Sequence, residues 1–318
     1  MRLQLLIARH SEPLWMVRRM LSSIANQVGV DFSQIGVIIC EDGPDEPIPD
    51  SELAMPFEVW HMVREHGGVS RTRNAMLDEA IADYVMMCDM DDMFHDMLGL
   101  RVMLSYLETG CDALVSAFVQ EDGFVMRERD PYFNHGKAFR RMYLVENGIR
   151  WLDELETSGD CYFLWQALLL TDRVAYCDSS FYMWRANPSS ICRGEPDHFI
   201  RSYALAVTSE GELVGNFLSR GRDDLARTFV ARMVVDAYLM MTTERWAELS
   251  GEQFCLDATD TLRLYYDRHK RLFESVTPQE LSVVWRDKLK SRGTDGPQPG
   301  LAGLDEWLDV VRGMACAR

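Results

Sequence analysis

The sequence has no long hydrophobic run, and this absence argues against a membrane-spanning helix. No window approaches the roughly 18 consecutive apolar residues that such a helix needs. The first apolar stretch, residues 3–8, ends at Arg9 and is too short for the apolar region of a secretion signal. We therefore expect a cytoplasmic protein without a membrane span, in which residues 3–8 form a buried strand.

Cysteine pairs and an excess of basic charge are also missing. None of the eight cysteines belongs to a Cys-x-x-Cys pair, which favours buried, reduced thiols over a disulfide framework or a cysteine zinc site. Acidic residues outnumber basic ones by 50 to 33, and the formal net charge is −17. Such a chain repels phosphate backbones at long range, so generic nucleic-acid binding is disfavoured.

Short apolar runs alternate with helical patterns in the first half of the chain. The runs 35–40, 57–63 and 84–88 predict strands, and helices are predicted from Pro13 and from about Ser70 to Ala82. This order predicts an α/β fold, with a mostly parallel sheet and helices on both faces. Ligands of such sheets bind at the carboxyl ends of the strands.

The character of the sequence changes after about residue 200, where helix formers dominate and strand-like runs are absent. A stretch rich in glycine and proline follows near the C-terminus and is typical of a linker. We predict an α/β domain over 1–200, which later motifs mark as the catalytic one, a helical accessory domain over 201–291, a linker over 292–300 and a short helix over 301–318.

Three carboxylates, Asp89, Asp91 and Asp92, follow the predicted strand 84–88 within four residues. They repel one another unless a cation lies between them. Such oxygen ligands suit Mg²⁺ or Mn²⁺, which also bind phosphate oxygens. The alternative is an acidic turn that caps the next helix.

Two other polar positions are expected near this cluster. Asp42 ends an earlier strand, so its carboxylate should lie at the same edge of the sheet and could accept hydrogen bonds from a nucleobase or ribose. A plain Asp-Gly-Pro turn would explain the same residues without a ligand. Arg71 and Arg73 begin the helix before the cluster, where positive charge opposes the helix dipole and a nearby anion is one explanation. Two solvated arginines are the alternative.

The order of these motifs resembles the family 2 glycosyltransferases with the GT-A fold, a Rossmann-like nucleotide-sugar-binding fold. The likeness covers roughly residues 1–195. It lies in five segments: the first strand (5–10), the Asp42 turn (40–45), the start of the arginine-containing helix (68–74), the Asp-x-Asp motif (89–92) and an acceptor-side segment (136–141). The resemblance implies contacts to the donor nucleotide from Ala8, Arg9, Asp42, Arg73 and Asp89.

The same resemblance implies a metal site and a charged partner for the leaving group. Asp91, with Asp89, would hold Mn²⁺ or Mg²⁺. His198 is a further candidate metal ligand, although a lone histidine is more often structural. Arg185 follows an aromatic segment and would neutralise the departing diphosphate.

Asp160 matches the position of the general base in this family, but Gly159 stands where the family usually has Glu. The alternative role for Asp160 is a cap for a helix beginning at Cys161. Glu154 and Glu156 are the alternative bases.

The implied function is a metal-dependent, inverting transfer of a sugar from a nucleotide sugar to an acceptor hydroxyl, with UDP the commonest nucleotide in the family. The acceptor stays open among glycan, protein, lipid carrier and modified nucleic acid. Two other functions compete with this one: a metal-dependent phosphoryl hydrolase, since a strand ending in Asp-x-Asp also suits that chemistry, and a non-catalytic nucleotide-sugar-binding protein.

Overall fold

The computed structural model describes residues 1–127, 132–155, 159–187, 196–242, 260–291 and 308–309, with side chains left out at 196–204, 239–242 and 288–291. The chain divides into two compact units, Met1–Pro188 and Ser189–Arg318. The fold of each unit is given separately below.

Four parallel strands form the first half of the sheet, in the order β3-β2-β1-β4. They are β1 (Leu3–Arg9), β2 (Ile35–Asp42), β3 (Glu58–Arg64) and β4 (Tyr84–Asp89). The strands predicted from the apolar runs are confirmed, but each continues one or two residues further than predicted. Polar residues at these ends still pair through the backbone, since Ala8 is opposite Asp89 and Asp42 is opposite Arg64.

Three helices accompany these strands: α1 (Leu14–Ala25), α2 (Val69–Glu79) and α3 (Gly99–Leu107). Helix α1 begins after Pro13, as predicted. Proline suits the start of a helix because the first N–H groups there have no partner within the helix, so the missing N–H of Pro13 costs nothing. Helix α2 ends at Glu79, three residues before the predicted end. The backbone N–H groups of Ile81 and Ala82 donate instead to Gln4 Oε1, at 2.6 and 2.7 Å.

The second half of the sheet mixes directions. Its elements are β5 (Met93–Phe94), β6 (Ala113–Gln120), β7 (Val125–Met126), β8 (Lys137–Arg140), α4 (Arg141–Glu146), α5 (Gly159–Leu169) and β9 (Val174–Trp184). Strand β8 runs antiparallel between β4 and β6, and β9 pairs in parallel with β6. The four longest ladders are all parallel, so the predicted mostly parallel α/β sheet is confirmed.

A hydrophobic cluster lies on each face of the sheet, because side chains of β1 alternate between the two. Leu5 and Ile7 pack with Val17 of α1 and Met103 of α3 on one face. Leu6 packs on the other face, with α2, α4 and α5. The helices therefore cover both faces, as the continuous apolar character of β1 and β2 requires.

The described part of the second unit consists of helices joined by short turns. Its helices are Pro196–Ser219, Asp223–Thr242, Lys270–Ser275 and Pro278–Ser291, and residues 260–268 are helical as well. Their apolar faces are buried, with Phe217 against Phe229 at 5.3 Å between ring centroids. The predicted C-terminal helical region is thus present, and the first of these helices begins before the predicted boundary at residue 200.

Two of the sequence-based expectations concern segments near the C-terminus. The predicted linker 292–300 lies outside the described residues, as does the predicted helix 301–318 except for Leu308 and Asp309, which are helical. Among the described helices, none is long and apolar enough to cross a membrane.

Candidate active site

The carboxyl ends of β1, β2 and β4 meet at one edge of the sheet and bring predicted site residues together. Strand β1 ends at Arg9, β2 at Asp42 and β4 at Asp89. Because the three strands are parallel neighbours, this edge has the position at which ligands of open α/β sheets bind.

Arg73 connects the two sides of this edge. Its side chain is 8% exposed, and Nη2 donates to Asp89 Oδ1 at 2.8 Å while Nη1 donates to Asp160 Oδ1 at 2.5 Å. Asn134 Nδ2 donates to the same oxygen of Asp160 at 2.7 Å. Helix α2, strand β4 and the start of helix α5 therefore converge on one guanidinium, which brings the predicted general base and the Asp-x-Asp motif together.

The pKa values of the three carboxyl groups in the acidic cluster, Asp89, Asp91 and Asp92, are shifted in different directions. Burial alone would raise the pKa of Asp89, but the charge of Arg73, the charge of His135 and the hydrogen bond from Arg73 outweigh burial and lower it. Burial and the charge of Asp89 raise the pKa of Asp91. The same causes, with the charge of Asp91, raise the pKa of the buried Asp92 well above its usual range.

The end of β9 is tied to the acidic cluster. Asp92 Oδ1 accepts a hydrogen bond from Arg185 N at 2.8 Å, and Asp91 Oδ2 accepts one from Asn187 Nδ2 at 2.9 Å. The Arg185 guanidinium pairs with Glu121 at 2.6 Å. Arg185 is thus placed next to the cluster through its backbone, while its side chain has a carboxylate partner inside the protein.

Three side chains at the cluster offer ligand atoms for a cation. One atom each of Asp89, Asp92 and His135 lies within 4.8 Å of the others. Asp92 is fully buried, and its Oδ2 has no hydrogen-bond partner among the described residues. His135 Nδ1 lies 3.5 Å from this oxygen. Two carboxylates and an imidazole suit Mn²⁺ and, less well, Mg²⁺, so the residues present fit a divalent ion.

The predicted metal ligands are only partly members of this set. Asp89 belongs to it, whereas Asp91 does not. The side chain of His198 lies outside the described residues, although its backbone belongs to the helix Pro196–Ser219.

Asp42 and Arg9 are engaged within the protein. Asp42 Oδ1 and Oδ2 accept hydrogen bonds from the backbone N–H groups of Gly67 and Gly68, at 2.7 and 3.0 Å. Arg9 is buried, forms an ion pair with Glu41 and donates to the Glu12 carbonyl at 2.9 Å. Both residues lie at the predicted edge, and both help to fix the loops around it.

Packing explains the glycine that departs from the family pattern. Helix α5 begins at Gly159, so the predicted start at Cys161 is wrong by two residues and Asp160 lies in the first turn. A Cβ atom on Gly159 would lie 2.8 Å from Ser70 Oγ and 3.4 Å from Trp151 Cδ1. Ser70 Oγ cannot move freely because it donates to the Leu155 carbonyl at 2.8 Å. No larger residue fits without a shift.

The alternative bases occupy different surroundings. Glu154 is exposed, and Glu156 lies outside the described residues. Trp151 is 3% exposed and stacks on Phe163 at 3.7 Å between ring centroids. It is a core residue.

Sequence reasoning missed Asn134 and His135, which are both buried at the site. They directly precede the acceptor-side segment 136–141, and this adjacency was the available signal. It also missed Arg19, which donates to the backbone carbonyl of Asp91, and Asn187, which donates to its carboxylate. An arginine beside Arg18 on a helix and an asparagine before a proline carry no recognisable pattern.

Comparisons with known proteins agree with this geometry. Residues 10–163 match the sequence model of glycosyl transferase family 2. No protein of curated function matches the chain by sequence.

The chain is also similar to solved structures. The complex of Staphylococcus aureus TarS 1–349 with UDP matches with a TM-score of 0.62 and 14% identity, over 91% of this chain and 88% of that one. The same TarS fragment with UDP-GlcNAc matches with a TM-score of 0.52 and 14% identity, over 92% of each chain. Mannosyltransferase PcManGT from Pyrobaculum calidifontis, in complex with GDP-Man and Mn²⁺, matches with a TM-score of 0.50 and 13% identity, over 100% of this chain and 81% of that one. At these identities the likeness shows the fold, which is the GT-A fold.

Proposed function

Residues 10–163 form a family 2 glycosyltransferase domain, and from this premise we propose that the protein transfers a sugar from a nucleotide sugar to an acceptor hydroxyl. The observation that carries the proposal is the pair of hydrogen bonds from Arg73 to Asp89 and Asp160. One guanidinium, that of Arg73, thereby holds Asp89, a carboxylate suited to the donor side, and Asp160, a carboxylate suited to proton removal. The group lies at the carboxyl ends of the parallel strands.

The donor is proposed to be a UDP-sugar that lies along the edge formed by β2, β1 and β4. The similar structures are complexes with UDP, UDP-GlcNAc and GDP-Man, which supports a nucleotide-sugar donor here. Asp42, Ala8 and Arg9 would border the nucleoside. Asp89 and Arg73 would border the ribose and the phosphates.

A divalent ion, Mn²⁺ or Mg²⁺, would be held by carboxylates of the acidic cluster, with Asp91 and Asp89 as the family assigns and Asp92 and His135 as neighbouring donors. When bound, such an ion supplies positive charge to the phosphate oxygens of the leaving group. The chain supplies further positive charge close by. Arg185 lies next to the cluster, and exchange of its Glu121 partner for a phosphate would require only a side-chain movement.

The acceptor side is proposed to contain the general base. Asp160 would remove the proton of the acceptor hydroxyl while that oxygen attacks the anomeric carbon from the face opposite the diphosphate, which inverts the configuration. Hydrogen bonds from Arg73 and Asn134 to Oδ1 orient the carboxylate, so that Oδ2 is the oxygen that would accept the proton. The chemical class of the acceptor stays open.

The test is release of nucleoside diphosphate from a panel of UDP- and GDP-sugars, with Mn²⁺ and without added acceptor. A glycosyltransferase is expected to release diphosphate slowly from one donor by transfer to water. Release of nucleoside monophosphate and sugar 1-phosphate from the same donors would favour the phosphoryl hydrolase instead. Donor binding without any release would favour the non-catalytic binding protein.

A further inference from the structure

A second cluster of ligand atoms lies at the same edge of the sheet, two strands away from the acidic cluster. His10 follows β1, Asp42 ends β2 and His66 follows β3. One nitrogen of each histidine and one carboxylate oxygen of Asp42 lie within 4.8 Å of one another. The two imidazole rings are 4.6 Å apart between centroids and inclined by 32°. Three consecutive strands of the sheet order thus each contribute one donor group.

The spacing of two of these atoms matches that around a metal ion. His66 Nδ1 lies 3.1 Å from Asp42 Oδ2. A tetrahedral ion with bonds of about 2.0–2.1 Å separates its ligands by about 3.3 Å. The pair therefore needs little movement to share an ion. A simple ion pair would produce the same distance with one histidine, but it gives no role to the second imidazole beside it.

The outer contacts of the cluster are those that orient metal ligands. The backbone N–H groups of Gly67 and Gly68 hold the Asp42 carboxylate. His10 Nδ1 lies 2.6 Å from the backbone carbonyl of Asp42. Because a carbonyl only accepts, Nδ1 carries the proton and Nε2 keeps its lone pair. Metal-bound histidines commonly donate their other N–H to a carbonyl, and ligating carboxylates are commonly held by hydrogen bonds.

An ion can reach the cluster from solvent. The side chain of His66 is 64% exposed, and His10 is exposed as well. The buried member is Asp42, at 5% exposure. Ligands at a solvent-facing edge leave the remaining coordination positions to water.

We propose that His10, Asp42 and His66 form a second metal site, which binds Zn²⁺ in preference to Mg²⁺ or Mn²⁺. Two of its three ligands are imidazole nitrogens, which suit zinc, whereas magnesium and manganese prefer oxygen. The site also has a consequence that rests on the proposed function. Asp42 is the carboxylate assigned to the nucleoside, so zinc and the donor nucleotide compete for it.

Zinc binding is tested by calorimetric titration of ZnCl₂ into chelator-treated full-length protein, without nucleotide. Wild type is expected to bind zinc, and His10→Gln and His66→Gln are each expected to weaken that binding at least about 10-fold. Two control variants are expected to retain the zinc affinity of the wild type: His95→Gln, at an exposed histidine outside the cluster, and Cys161→Ser, at a half-buried thiol. Zinc affinity equal in wild type and in both cluster variants would overturn the site, as would the absence of zinc binding in wild type.

Competition is tested by repeating the titration in saturating UDP. The apparent zinc affinity of the wild type is expected to fall. If UDP binds and zinc affinity is unchanged, the two ligands do not share Asp42 and the competition is disproved. If no nucleotide binds at all, the proposed function fails while zinc binding without nucleotide still decides the metal site.

Discussion

Arg73 and Asp160 form a partly buried ion pair, 2.5 Å between Nη1 and Oδ1, across 87 positions of the sequence. The other half of the guanidinium binds Asp89. Two carboxylates raise the pKa of Arg73 although burial alone would lower it. The pair therefore links the start of α5 to the end of β4, and the predicted site depends on it.

Replacement of Arg73 by Met should destabilise the fold. Arg73 is 8% exposed and its carboxylate partners Asp89 and Asp160 are 32% and 26% exposed, so loss of the guanidinium should cost less than the roughly 3–5 kcal/mol of a fully buried ion pair. Arg71→Met is the matched control, because Arg71 lies on the same helix, is 54% exposed and is 4.0 Å from its nearest carboxylate. Its free energy of unfolding should change by no more than about 0.5 kcal/mol. Denaturation by guanidinium chloride measures the free energy of unfolding of the two variants. Equal effects of the two variants would show that the Arg73 bridge adds no stability.

Asp160→Asn should abolish most of the turnover without loss of donor binding. Asparagine keeps Oδ1, which accepts from Arg73 and Asn134, but it cannot take a proton. The rate should fall by about 10²–10⁴, as expected for a positioned base. The comparison is steady-state transfer and calorimetric donor affinity, with exposed Glu154→Gln as the control. Near-normal turnover in Asp160→Asn would move the role of base to Glu154 or Glu156.

Asp92→Asn should stabilise the chelator-treated protein at pH 7 and have little effect near pH 4. A carboxyl whose folded-state pKa is raised destabilises the fold as pH rises above its unfolded value of about 3.9, by about 1.4 kcal/mol for each unit. Asparagine removes this penalty and keeps the acceptor for Arg185 N. Denaturation at the two pH values measures the difference. A loss of stability at pH 7 would show that the buried carboxylate is favourable when charged.

Gly159→Ala should disturb the start of α5. The added Cβ would lie 2.8 Å from Ser70 Oγ, and overpacking of this kind costs about 1–3 kcal/mol. The double variant with Ser70→Ala tests the cause, because it removes the clashing oxygen. Melting temperatures should show a smaller effect of Gly159→Ala in the Ser70→Ala background. Purely additive effects would place the strain elsewhere.

The edge of the sheet could be predicted because its signals are local. Strands β2 and β4 are continuous apolar runs, and each ends in acidic residues that mark the edge in sequence. The end of α2 could not be predicted, since it depends on hydrogen bonds that the backbone N–H groups of Ile81 and Ala82 donate to Gln4 Oε1, more than 70 positions away. Local periodicity contains no information about that contact.

The candidate site was predictable in its carboxylates and not in their partners. Asp42, Asp89 and Asp160 occupy recognisable motifs. His135 and Asn134 come to the site only because β8 inserts antiparallel between β4 and β6, and such insertions depend on tertiary packing. The role of Gly159 likewise becomes clear only when Ser70 is placed opposite it.

The most direct test of the central claim is the affinity of UDP with and without Mn²⁺, measured by calorimetry for wild type and for Asp91→Asn. If carboxylates of the acidic cluster hold an ion that binds the diphosphate, Mn²⁺ should strengthen UDP binding to wild type, and Asp91→Asn should remove that gain while leaving the metal-free affinity unchanged. Equal UDP affinity of wild type in the presence and absence of Mn²⁺ would contradict the account.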